Sequence, residues 1–293
     1  MSTKDELLKV FEENKGEYLS GEEIADRLEI SRTAVWKAVN SLREDGYPID
    51  AVKTKGYCLS QASDIVSAQG VGKYLTQDLD VVVYDEVDST NTLLKKMASE
   101  GAREGTVVIA NSQTGGKGRL GRKFFSPLNT GVYISVLLRP EDIEPQKALK
   151  ITTMAAVAAA ETIDEVSGKT ALIKWVNDVF VDGLKCVGIL TEASISMESG
   201  NLEYAVLGIG FNVYLPEGGS LKRSKALRER YLMRLFRMPR TRSRQGSSTD
   251  SWRSTGVRIS WITLRHIKKR ALSWARRSTS YRRSKRAWQR CSI

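Results

Sequence analysis

The amino-acid sequence predicts an α+β protein, and three observations carry that reading. Residues 1–60 show three short helical patterns and then a hairpin. Residues 66–219 are dominated by apolar strand runs with one long Ala-rich helix behind them, which points to a mixed sheet. From Ser220 onward apolar periodicity disappears and the charge changes sign. At 293 residues the chain has room for two or three small domains, each with its own core.

Leu7, Leu8 and Phe11 share one helical face. Ser20 followed by Glu23 reads as a capping box, opening a helix with Ile24 and Leu28 inside. Ser31 caps a third helix whose Val35, Ala38, Val39 and Leu42 face inward. Its outward face carries Arg32, Thr33, Trp36, Lys37 and Asn40, residue types suited to phosphates and base edges. Gly46 ends that helix, and residues 49–59, with Gly56, read as a β-wing. This pattern is a winged helix-turn-helix, a DNA-binding domain over residues 1–60. A compact helical interaction module is the competing reading.

A short polar joint at residues 60–64 leads into the α/β region. Val81, Val82, Val83 and Tyr84 read as a buried strand, followed by Ser89, Thr90 and Asn91 at the start of a helix with Leu93, Leu94 and Met97 inside. Capping explains one of those three polar residues, and three together suit a small polar ligand. A strand at 106–110 then runs into Gln113-Thr114-Gly115-Gly116-Lys117-Gly118-Arg119-Leu120-Gly121-Arg122-Lys123. Glycines let the backbone approach a ligand, and the interleaved cations supply donors to an anion; a solvated basic turn is the plainer reading. The spacing matches neither a Walker A loop nor a Rossmann turn. Further strands are expected at 131–138, 171–174, 179–181, 185–192 and 204–213, with the long helix from Pro145 to Val166 and a hairpin turn at Asp182-Gly183.

Charge divides the chain. Of its 46 Lys and Arg, 23 lie from Ser220 onward with only 2 of the 34 Asp and Glu, so that tail carries +21 and residues 1–219 carry −9. The net charge of +12 is therefore no argument for nucleic-acid binding by the folded part. The single histidine, His266, lies in the tail, so chemistry in residues 1–219 runs without histidine as acid, base or ligand. Cys58, Cys186 and Cys291 are too far apart to suggest a disulfide framework or metal cluster. No apolar run reaches membrane-spanning length and the N-terminus is no signal peptide, so the chain reads as cytoplasmic.

Taken in order, the motifs resemble the biotin–protein ligases, specifically the bifunctional biotin-operon repressor type with an N-terminal DNA-binding domain. The matching residues are Ser89-Thr90-Asn91; Gln113 with a GRGRxGR-like loop at 116–122; a KWPND-like box at 174–178; K-x-x-G-I-L-x-E at 185–192; and Gly-Ile-Gly-x-Asn-Val at 208–213. Lys117 stands where the family loop has its first Arg, Val176 where the box has Pro, and Phe124 where Trp is usual. The resemblance covers residues 1–219. It implies a ligase-like catalytic domain at 66–219 that joins biotin and ATP into biotinyl-5′-AMP, then passes biotin to a lysine of a carboxylase carrier domain. By the same resemblance Ser89, Thr90, Asn91, Gln113, Lys117, Gly118, Arg119 and Lys185 would bind biotin, with Lys185 and Arg119 catalytic. Lys174, Asn177, Asp178 and Arg122 would serve ATP and Mg²⁺, with Asp178 the metal ligand. Arg32, Thr33, Trp36, Lys37 and Asn40 would contact operator DNA, and a ligand-promoted homodimer is implied. A biotin sensor with little ligase activity and a lipoate-type ligase are the alternatives.

Residues 220–293 stand where the family carries its last helices and a small β-domain. A basic nucleic-acid-binding tail is one reading. A slipped reading frame is the favoured one: at a single offset, Trp261-Ile262 forces Asp, Trp274-Ala275 forces Gly, and both Trp288-Gln289 and Met238-Pro239 force Ala. A segment so rich in cations and so poor in carboxylates repels itself and buries too little to offset the entropy of folding. Protease is expected to cut near Ser220, and the tail to bind polyanions with a steep salt dependence. A protease-resistant tail, or a gene with no family-like alternative frame after Gly219, would reject this account.

Overall fold

In a computed structural model of the chain, residues 2–63, 65–75, 77–128, 130–140 and 148–213 are described. The basic tail from Ser220 and the expected helix start at Pro145 lie outside the described residues. The chain divides into two compact units with their junction between Leu75 and Thr76.

The first unit holds α1 (Thr3–Glu13), α2 (Gly21–Leu28) and α3 (Arg32–Glu44), then β1 (Ile49–Val52), β2 (Gly56–Leu59) and the short α4 (Ala68–Gly72). Each long helix begins where a serine can satisfy an otherwise unpaired N–H. Ser20 Oγ accepts from Glu23 N at 3.0 Å and Ser31 Oγ from Ala34 N at 3.1 Å. A fully reciprocal capping box forms at Ser2 and Asp5, ahead of α1. Leu7, Phe11, Ile24, Val35, Val39, Leu42 and Leu59 close one apolar core with little or no exposure. β1 and β2 pair antiparallel with Ile49 opposite Leu59, forming the expected wing. Gly56 is required there: its φ is +96°, and a Cβ would fall 2.0 Å from the Leu19 carbonyl oxygen. That carbonyl accepts the Tyr57 N–H at 2.8 Å, tying the wing to the turn before α2.

The polar joint at 60–64 is not where the units separate. Lys73 Nζ lies 2.9 Å from the Glu12 carboxylate and donates to the Glu12 carbonyl at 3.1 Å. Lys15 donates to the Ser63 carbonyl at 3.0 Å, and Gln69 Nε2 to Asp5 at 3.2 Å. Glu12 is almost completely buried, so its charge needs these lysines close by. Residues 65–75 therefore pack with the helices before them, and the first unit extends beyond residue 60.

The second unit contains β3 (Asp80–Val87), α5 (Thr90–Ser99), β4 (Thr106–Gln113), β5 (Gly131–Leu138) and α6 (Ala148–Ser167). It continues with β6 (Leu172–Lys174), β7 (Asp178–Val181), β8 (Leu184–Ile195) and β9 (Leu202–Asn212). Among the described residues these strands form one sheet in the order β3-β4-β5-β9-β8-β7-β6. β3 and β4 run parallel and the other neighbours antiparallel, a mixed sheet. β3 is an edge strand and half-exposed, where a buried strand was expected, because pairing covers only one of its sides. Two helices back the sheet where one was expected. α5 packs on β4, β5 and β9 through Leu94 and Ala98, and α6 packs on β6, β7, β8 and β9. Asp182 and Gly183, at φ +52° and +81°, make the tight turn between β7 and β8.

Replacing Lys73 by Met leaves the buried Glu12 carboxylate, among the described residues, with the more distant Lys15 at 3.9 Å. Breaking a buried pair on one side costs about 3 kcal/mol. Urea unfolding of the full chain should show that loss in the transition of the first unit, and an unchanged midpoint would mean that α4 does not hold Glu12.

Candidate functional site

Parallel pairing of β3 with β4 places Val87 opposite Gln113, so the ends of both strands meet where α5 begins. The chain turns at Asp88, which accepts the Ser89 N–H at 2.6 Å, and Asp88 O accepts the Gly115 N–H at 2.7 Å. Ser89 is the N-cap of α5, its hydroxyl accepting from Thr92 N. Thr90 donates its N–H to Gln113 Oε1 at 2.9 Å, and its hydroxyl oxygen lies 3.1 Å from the same atom. Gln113 Nε2 in turn donates to Ser126 Oγ at 2.8 Å. Asn91 donates to Glu192 Oε2 at 2.8 Å and to the Leu190 carbonyl at 3.4 Å, while its Oδ1 takes the Ser135 hydroxyl at 2.6 Å. Ser89, Thr90 and Asn91 are all buried.

The glycine-rich loop leaves β4 and closes on itself. Gln113 N–H donates to Ser126 O at 2.9 Å, Phe124 N–H to Gly116 O at 2.8 Å, and Gly118 N–H to Arg122 O at 2.7 Å. Gly116 has no room for a side chain, since a Cβ would lie 2.3 Å from the Phe124 carbonyl oxygen. Lys117 and Lys123 face each other across this closure, and Lys117, Arg119 and Arg122 are exposed. Phe124 folds back onto the sheet: Cβ atoms on Gly188 and Gly210 would lie 2.6 and 2.4 Å from its ring. The ring meets Tyr133 edge-on at 6.3 Å.

The remaining cationic and amide groups come from β6, β7 and β8. Lys185 Nζ is 2.9 Å from Asp178 Oδ1 and 5.7 Å from the Phe124 ring centre. Asn177 donates to Asp178 at 3.0 Å, and its own Oδ1 accepts from Arg119 Nη1 at 3.0 Å, joining the loop to this segment. Lys174 Nζ lies 5.9 Å from the Phe180 ring centre, on the strand paired with Asp178. Trp175 is 58% exposed, which removes a core role for it.

Sequence reasoning missed Ser135, Ser126, Lys95 and the role of Glu192. Burial raises the Glu192 carboxyl, but hydrogen bonds from Lys95 and Asn91, with the nearby Lys117 charge, outweigh it and hold the group below the usual range. Lys95 Nζ is 2.6 Å from Glu192 Oε1. Ser135 left a usable signal, a lone polar residue in the apolar run of β5, where it is fully buried. Across the other unit, Arg32, Thr33, Trp36 and Lys37 are exposed along α3 and Asn40 is partly covered. The described residues contain no group of three or more His, Cys, Asp or Glu placed to hold a metal, and no helix long and apolar enough to cross a membrane.

Comparison with known proteins follows the same division. Residues 83–212 match the Biotin/lipoate A/B protein ligase family and residues 3–58 an HTH domain. The Bifunctional ligase/repressor BirA of Bacillus subtilis is 38% identical over 213 residues, 72% of this chain and 65% of that protein. The protein of the same description from Escherichia coli is 32% identical over 201 residues, 68% of this chain and 60% of its own length. The chain thus spans less than two thirds of either relative. A solved structure, a biotin protein ligase from Aquifex aeolicus in complex with biotin and ATP, is 30% identical over 53% of this chain and 68% of that one, with a TM-score of 0.42. The chain thus carries a region of the Biotin/lipoate A/B protein ligase family at residues 83–212, with an HTH domain ahead of it at residues 3–58.

Proposed function

We propose that this chain is an ATP-dependent biotin–protein ligase that also acts, in the cytoplasm, as a biotin-responsive DNA-binding repressor. One observation carries the ligase reading: side chains from α5, β4, β5 and β8 are tied into one hydrogen-bonded set, and side chains from the basic loop, the 174–178 segment and β8 into a second. That arrangement suits a reaction driven by placement and charge neutralisation, with no enzyme nucleophile.

In the first step a carboxylate oxygen of biotin attacks the α-phosphorus of ATP, and the bond to pyrophosphate breaks. In the second, the ε-amine of a carrier-domain lysine attacks the acyl carbon, AMP leaves with its phosphate, and the amine proton passes to solvent. Ser89, Thr90, Asn91 and Gln113 form the biotin end. Lys117, Gly118 and Arg119 hold carboxylate and phosphate, and Arg122 adds to the positive field. Lys185 exchanges Asp178 for the reacting anions, so its charge is balanced before substrate enters as well as after. Lys174 and Asn177 serve the nucleotide. The donor set fits Mg²⁺ as an ion carried on nucleotide phosphates, with Asp178 as the protein carboxylate that would stand beside it, since the described residues hold no group of three or more ligand side chains. There Mg²⁺ would neutralise phosphate charge.

For the repressor half, Arg32, Thr33, Trp36, Lys37 and Asn40 present donors along α3 toward operator DNA, and biotin with ATP tightens binding by promoting a homodimer.

Lys185→Ala should abolish biotin-dependent ATP–pyrophosphate exchange while leaving the unfolding transition in place; exchange within about tenfold of the parent would remove Lys185 from the reaction, since a matched charge at the transferred phosphate is worth more than that. Biotin set against lipoate in the same assay tests the substrate. Lys37→Glu should eliminate the operator gel shift, and a shift that survives it, or ignores biotin and ATP, would reject the assigned DNA face.

A further inference from the structure

Glu192 is partly buried beside Lys95 and Asn91, and its chemistry constrains the polar side chains that follow from them. An ionised carboxylate can only accept hydrogen bonds. Asn91 must therefore turn its amide nitrogen to Glu192, at 2.8 Å, and its oxygen to Ser135. Ser135 has one hydroxyl proton, and its 2.6 Å contact with Asn91 Oδ1 claims it. Ser135 Oγ, 2.8 Å from Thr90 Oγ1 and with its own proton on Asn91, is left to accept the Thr90 hydroxyl proton, so that Gln113 Oε1 is held by the Thr90 N–H. At the far end the Thr90 N–H can only donate, which fixes Gln113 with its oxygen inward and its nitrogen on Ser126. The two ends are thus pinned by groups that cannot reverse. Lys95, 2.6 Å from the other Glu192 oxygen, keeps the carboxylate charged and in place.

The backbone has been cleared for this chain of side chains. Gly208 pairs with Ser135 on one side and Leu190 on the other. A Cβ on Gly208 would lie 2.2 Å from Asn91 Oδ1, so the Asn91 amide rests on bare strand, enclosed by three neighbouring strands. Both amide protons and the amide oxygen of Asn91 are already engaged within the protein.

We propose that Glu192, backed by Lys95, is a positioning residue that sets the donor–acceptor direction of the buried links Asn91–Ser135–Thr90 leading to Gln113, which moves Asn91 from the biotin contacts given above to a link that supports them. Its functional half rests on the biotin-site reading of Thr90 and Gln113; the hydrogen-bond direction itself does not.

The test is biotin-dependent ATP–pyrophosphate exchange on the full chain. Glu192→Gln keeps the shape and loses the direction, because an amide can donate as well as accept. It should raise the KM for biotin about tenfold, the effect of one misdirected buried hydrogen bond, while the KM for ATP stays within about twofold. A purely structural role would instead lower kcat without separating the two KM values. Asn91→Asp sets two carboxylates against each other and should be worse. Combining Asn91→Asp with Glu192→Gln reverses the pair: the glutamine amide donates to the new carboxylate, which still takes the Ser135 hydroxyl. The double variant should recover a biotin KM within about threefold of the parent, as coupled neighbours do when their contact is rebuilt. An unchanged biotin KM in Glu192→Gln, or a double variant no better than Asn91→Asp, overturns the proposal. A parent that shows no exchange rejects the ligase reading instead. Urea unfolding then decides the proposal: the double variant must be more stable than Asn91→Asp, and equal stability overturns it.

Discussion

The parallel register of β3 and β4 is the constraint on which the candidate site depends. Parallel neighbours need a crossover, and α5 is that crossover, so the helix start is delivered beside the end of β4. With Val87 opposite Gln113, the Gln113 side chain meets the first helical residue, Thr90. A slip of one residue would turn Gln113 to the other face of the sheet and separate it from Thr90 and Ser126. The same register brings the Asp88 carbonyl to Gly115 and so fixes where the basic loop begins.

From that corner outward, order passes through contacts between segments far apart in sequence. Arg119 reaches Asn177, Lys185 reaches Asp178, and Asn91 reaches Glu192. Each joins a different strand or loop to its neighbour. The basic loop needs such anchors because its cations repel one another, with Lys117 facing Lys123 directly. Its backbone closure from Gly116 to Phe124, and the Phe124 ring on the glycines of β8 and β9, hold those like charges in one place.

Much of this was legible in the sequence where the signal was local. Ser20 and Ser31 marked helix starts, Asp182-Gly183 marked a turn, and apolar runs marked strands, each read from a few adjacent residues. The segments of the candidate site stood out because each is contiguous, from Ser89-Thr90-Asn91 to Lys185 through Glu192. What joins them was not. Lys95 matters through a partner 97 residues away that nothing in its neighbourhood announces, and Ser135, though conspicuous in its apolar run, gives no sign of a partner 44 residues away. The docking of α4 was hidden for the same reason: Lys73 and Glu12 are 61 residues apart, and the polar stretch between them resembles a linker. β3 looked buried because three valines in a row give the same pattern on an edge strand as inside a sheet.

The exposure of two tryptophans has a practical side. Among the described residues the tryptophans are Trp36 and Trp175, one on the outward face of α3 and one beside Asn177, exposed by 56% and 58%. Each unit therefore carries its own intrinsic fluorophore at the surface where its partner would arrive. Emission from Trp36 is placed to report a change of solvent at the helix-turn-helix, and that from Trp175 a change at the ligase end. With the four tail tryptophans removed and one of these two replaced by Phe, a single optical signal separates the two recognition events proposed for the chain.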